Sequence, residues 1–138
     1  MNYYNEIKNE LINNEVYKKV KDYSKNRSDL NTYYNVGKLL VEAQGGENRA
    51  KYGNGLIKEY SKKLIQEVGK QYNYKTLLKM RKFYEFSQKV ATVSRQLTWS
   101  HYVELLKFDN FNMIHYYINT CESQNLSVRE LRNKIKNQ

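Results

Sequence analysis

Three lysines, Lys75, Lys79 and Lys82, recur at intervals of four and three residues, the spacing that gathers side chains on one face of a helix. An ammonium row of this kind attracts phosphate without directional demand, and every phosphate it neutralises releases counterions. Tyr72, Asn73 and Tyr74 stand just ahead and Thr76 within the row, and their rings, amide and hydroxyls can stack on bases or hydrogen-bond to base edges and phosphates. Lys62, Lys63 and Lys70 precede them, and Arg81 lies inside the row. The chemistry on offer is polyanion binding. On the exposed start of a helix, Asn73, Lys75, Thr76 and Lys79 are the candidate readers of base edges. Lys62, Lys63, Lys70 and Lys82 are then the candidate holders of the sugar-phosphate backbone. The plainer reading of the same lysines is a solvated helical face. Tyr60 and Tyr84 read as core filling, whereas Tyr72 and Tyr74 read as more open.

Catalysis needs converging groups, and the sequence does not mark any. The acidic residues are scattered, no HExxH spacing occurs, and neither GxxxxGK[ST] nor GxGxxG is present around Gly53 and Gly55. Cys121 is the only cysteine, so an intrachain disulfide and a multi-cysteine zinc site are both ruled out. It reads as an ordinary buried thiol, and His101 as a hydrogen-bonded structural histidine. No catalytic residue, metal or cofactor is expected.

The elements that must position the lysines are helices. Leu56, Ile57, Tyr60, Leu64, Ile65 and Val68 follow the three-and-four spacing of one buried stripe, and Gly69 marks the end of that helix through the left-handed region. Tyr74, Leu77, Met80 and Tyr84 make a second stripe after a short polar turn. Residues 55–86 thus outline a helix-turn-helix-like unit. Upstream, Tyr4, Ile7, Leu11, Val16, Val20 and Tyr23 predict a short and a longer helix, separate at Asn13-Asn14 or fused. Ser28 and Asp29 predict the cap of a helix over 30–42, which Gln44-Gly45-Gly46 ends. Gly37 in its middle costs about 1 kcal/mol against alanine, so it marks a close approach by another helix. Residues 48–54 read as a loop. Downstream, Thr98 or Ser100 caps a helix to about Phe108, with Trp99, Tyr102, Leu105 and Leu106 facing the core. Another helix begins at Asp109-Asn110-Phe111 and runs to about Ser123. Ser127 and Glu130 form a capping box for the last one.

The 138 residues contain no proline and six glycines, and no long stretch alternates strictly. The fold class is therefore all-α, as one compact multi-helix domain over residues 1–138. No apolar run is long enough to span a bilayer, and no apolar signal segment follows Met1, so no membrane association and a cytoplasmic location are expected. The net charge is +10, and residues 51–89 hold ten Lys/Arg against three Glu. Most of the excess charge lies on the candidate binding unit and its flanks.

Five segments in order, YYNVGKLLVE, then QGG with RAKYGNGLIKEYSKKL, then LLKMRKFYEF, QLTWSHYVELL and LSVRELRNKI, resemble the N-terminal domain of the YhcG-type bacterial proteins from about Tyr33 to Ile135. The resemblance implies an all-helical domain, described as DNA-binding, that precedes a PD-(D/E)XK nuclease domain in longer members. No PD…(D/E)XK arrangement occurs here, so the nuclease activity is not carried over. Matching positions are Tyr52, Gly53 and Gly55, then Met80, Arg81 and Tyr84, then Trp99, Ser100 and His101. Gly53, Met80, Tyr84 and Trp99 read as structural. Arg81 reads as functional, on a phosphate or equally on a buried carboxylate.

Two functions remain open on this reading. One is a non-catalytic domain that binds nucleic acid, duplex DNA foremost, as a homodimer. The other is a protein-interaction module, such as a mobile-element-encoded inhibitor that docks on a defence nuclease or a nucleoprotein. The sequence also allows an excised piece of a longer protein.

Overall fold

Helical spacing of apolar side chains dictates the architecture, and the computed structural model describes residues 1–20, 25–46, 54–90, 93–94 and 96–137, with the backbone alone at 20, 25–28 and 54. These residues hold seven helices and no strand: α1 (Tyr3–Val20), α2 (Lys25–Ala43), α3 (Asn54–Glu67), α4 (Tyr74–Gln88), α5 (Trp99–Leu105), α6 (Phe111–Gln124) and α7 (Val128–Lys136). The protein is all-α. The chain divides into two compact units, Met1–Lys89 and Val90–Gln138.

In the first unit α2 is the central helix, packing on α1 and on α4. Gly37 makes the second of these contacts possible. A Cβ placed there would collide with the backbone carbonyl of Met80 and stand 2.8 Å from Cβ of Tyr84, so α4 lies directly against the backbone of α2. Leu77, Met80, Phe83 and Phe86 are buried on α4, as are Val36 and Leu40 on α2; Tyr33, also buried, accepts from Lys18 of α1 at 3.4 Å. Tyr84 flanks the contact of α2 with α4, its ring edge-on to Tyr34 at 5.1 Å. Gly45 and Gly46 end α2 with φ of 94° and 101°, and Gly46 donates to the carbonyl of Val41.

Four details depart from the sequence reading, while α1, continuous through Asn13-Asn14, takes the fused alternative. Its buried stripe passes from Ile7 and Leu11 to Asn14, leaving Val16 56% exposed. Asn14 bears burial because its amide donates to Asp29 Oδ1 at 2.9 Å. Asp29 in turn lies within α2, which starts before it, and binds Lys18 at 2.8 Å in place of capping a helix. In α3 the buried positions are Ile57, Ser61 and Leu64, and Ile65 points outward. Gly69 closes α3 by donating to Leu64 without entering the left-handed region.

In the second unit each helix start is locally specified. Thr98 caps α5, and His101 closes the box: Thr98 N–H donates to His101 Nδ1 at 3.1 Å, while Nε2 donates to the carbonyl of Leu126 at 2.9 Å. That pattern fixes the neutral Nε2–H tautomer. Asn110 caps α6, Asn125 ends it at φ 51°, and Ser127 and Glu130 form the expected box on α7. Glu104, 9% exposed, accepts from Lys107 at 3.0 Å and from both Nε and Nη2 of Arg132, tying α5 to α7. Burial raises the Glu104 pKa, but the hydrogen bonds and charges of Lys107 and Arg132 outweigh it and hold the carboxyl below its ordinary value. Cys121 is a buried free thiol whose pKa burial pushes up.

Candidate nucleic-acid interface

The helix, turn and helix over residues 54–88 carry the candidate residues. Ile57, Ser61 and Leu64 anchor α3 inward. That leaves Lys58 and Lys62, one turn apart, on a side of the helix different from Lys63. Lys58 stands over the Tyr74 ring at 5.3 Å, which brings this side of α3 to the start of α4. Lys63 lies toward α1, its ammonium 5.2 Å from the Tyr4 ring and 3.8 Å from Glu59. On the same side Tyr4 donates to Glu67 at 2.6 Å and Lys8 pairs with it at 2.9 Å. The hydrogen bonds from Lys8 and then Tyr4 hold the Glu67 carboxyl below its ordinary value. Lys63 therefore belongs to a charge-balanced seam, and Lys62 to the open side.

The turn is tied to α3 by Ser61, whose hydroxyl donates to the carbonyl of Tyr72 at 3.4 Å, and it closes on itself from Tyr72 N–H to the Gly69 carbonyl at 3.2 Å. Tyr72 corrects the expectation of an open ring. It is 1% exposed, and its hydroxyl donates to Glu15 on α1. Burial first, then the hydrogen bond to a carboxylate, raises its pKa and keeps the phenol protonated. A ring enclosed in this way cannot stack on a base. Its partner lies 57 residues away, a separation at which spacing rules give no signal.

Asn73 is the N-cap of α4, its Oδ1 accepting from Thr76 N–H at 3.0 Å. Lys75 is exposed, and Thr76 and Lys79 are half-buried. Lys62, Lys70, Lys75 and Lys79 form no ion pair or hydrogen bond among the described residues. Lys82 is half-buried and already engaged within the protein. Arg81 is bound by groups of its own unit: Nη1 donates to Gln44 Oε1 at 3.2 Å, and Nε lies 3.4 Å from Glu85. These contacts join the end of α2 to α4 through an amide and a half-exposed carboxylate. Tyr52 and Gly53 lie outside the described residues. Sequence reasoning missed Lys58, although its four-residue spacing from Lys62 was there to be read.

Two absences complete the description. Among the described residues no three His, Cys, Asp or Glu side chains converge as metal ligands, and no helix is long and apolar enough to cross a membrane.

Residues 6–138 match the model of the DUF1016 N-terminal domain. The chain belongs to that family. DUF1016 N-terminal similarity extends to a curated protein of Escherichia coli (strain K12) named "Putative nuclease YhcG", which is 45% identical over 71 residues. That alignment takes in 49% of this chain but only 19% of the relative. No solved structure gives a significant match. The family resemblance read from the five segments is thus met by matches of both kinds, and it runs through both units of the chain.

Proposed function

We propose that this DUF1016 N-terminal domain is a non-catalytic DNA-binding module of the cytoplasm, related to the targeting part of a nuclease. The observation that carries the reading is the set of ammonium groups at Lys62, Lys70, Lys75 and Lys79, without acidic partners among the described residues, around the start of α4. The positive end of the α4 dipole adds to their field. Phosphate is the ligand class that such a face attracts most strongly. The relative's printed name, a putative nuclease, supports a nucleic-acid partner for the domain.

Titration of a 20-base-pair duplex at two salt concentrations tests the reading. Binding that weakens steeply with salt and collapses in a Lys62/Lys75/Lys79→Glu variant is expected. No binding at low salt overturns it.

A protein partner, including a second copy of the chain, is the second reading. Val16 and Tyr17 favour it, as neighbouring exposed apolar residues on α1. Sedimentation of the purified chain, with and without Val16→Ser/Tyr17→Ser, distinguishes self-association from a monomer.

A further inference from the structure

We infer that the face around α4 holds the phosphate backbone and does not read bases, so that the domain binds duplexes without regard to sequence. The inference rests on the DNA-binding reading and concerns how that same site works. Base-edge recognition requires directional groups, chiefly arginine on guanine or an Asn/Gln amide that accepts and donates at once on adenine. Gln71, in the turn, hydrogen-bonds to Tyr72, and two further groups of this kind near α4 are engaged within the protein. Asn73 accepts from Thr76 N–H through its carbonyl oxygen at 3.0 Å, so a bidentate adenine contact would compete with the helix cap for that oxygen. Arg81, the one arginine side chain described in residues 1–89, is held by Gln44 and Glu85. Tyr72 is enclosed, and one face of the Tyr74 ring lies under Lys58.

What remains for a ligand is lysine, with the half-buried Thr76 hydroxyl beside it as a single group that makes no bidentate base contact. An ammonium is a compact, rotating point charge, suited to phosphate oxygens and indifferent to the base beyond them. Four of them on four phosphates give a log–log dependence of affinity on salt with a slope of about −3.6.

The experiment compares several 20-base-pair duplexes of equal length and unrelated sequence, together with selection from a random duplex pool. Affinities within about threefold of one another, well inside what one bidentate base contact discriminates, and no enriched motif are expected. Lys62→Gln and Lys75→Gln are each expected to reduce the salt slope by about 0.9. Asn73→Ser keeps an N-cap while removing the amide, and is expected to leave both affinity and sequence indifference unchanged. A motif enriched more than about tenfold, or a preference abolished by Asn73→Ser in a variant of unchanged circular dichroism, overturns the inference while DNA binding stands. Failure of every duplex to bind at low salt instead removes the DNA-binding reading itself.

Discussion

Gly37 of α2 lies directly beneath the carbonyl of Met80 in α4, leaving no room for a methyl group between the two backbones. In an isolated helix Gly→Ala is worth about 1 kcal/mol in favour of alanine. Here the collision is with backbone, which cannot swing aside, and forced separation of packed elements costs about 1–3 kcal/mol. Gly37→Ala is therefore expected to destabilise the domain by up to about 2 kcal/mol net, read as a lower urea midpoint. A stabilising result contradicts the described packing.

Tyr72→Phe separates core from interface. The ring stays and the hydroxyl goes, leaving Glu15 half-buried beside Lys18 at 3.8 Å. A stability loss of about 1–2 kcal/mol is expected, with DNA affinity unaltered. A drop in affinity at constant stability would return Tyr72 to the binding surface.

The Glu104 clamp gives the second unit an acid limit. Its folded pKa lies below the ordinary value of 4.5, so its contribution is complete above that value and is lost as pH falls through the lowered one. Glu104→Gln is expected to cost about 1–2 kcal/mol at pH 7. The gap between variant and parent should narrow as the pH falls below 4.5, as followed in urea melts across pH. A gap that stays constant with pH contradicts the clamp.

Cys121 supplies a cheap probe of the α6 core. The thiol is buried and its pKa raised, so it is expected to ignore a thiol-specific chromogenic disulfide in native buffer and to react stoichiometrically in denaturant. Rapid native labelling would place it at the surface.

What was legible in the sequence was what is encoded locally. The Ser127–Glu130 box, the Thr98 cap, the Gly45-Gly46 stop and the close approach at Gly37 each depend on residues a few positions apart or on one glycine. Asn73 obeyed the same capping rule, yet as an amide beside lysines it also fitted a base reader. The failures involve long-range partners. Asn14 took the buried position expected of Val16 because Asp29, on the next helix, satisfies its amide. Tyr72 went inward because Glu15 was waiting 57 residues upstream. Of the candidate site, the exposed lysines could be read from helical spacing, but the separation of Lys62 from Lys63 required knowing where α1 lies.

The same bond between Tyr72 and Glu15 sets a timetable for synthesis. α1 emerges from the ribosome with only Lys18 of its own helix beside Glu15, and the tyrosine that will donate to Glu15 is added 57 residues later, a delay of about 3–11 s at ordinary elongation rates. For that interval the first helix is a nascent segment whose Ile7 and Leu11 have no finished core to enter. The first unit thus completes its assembly only after translation has passed α4, and slowing elongation between residues 20 and 72 lengthens the period in which α1 is open to chaperones and proteases.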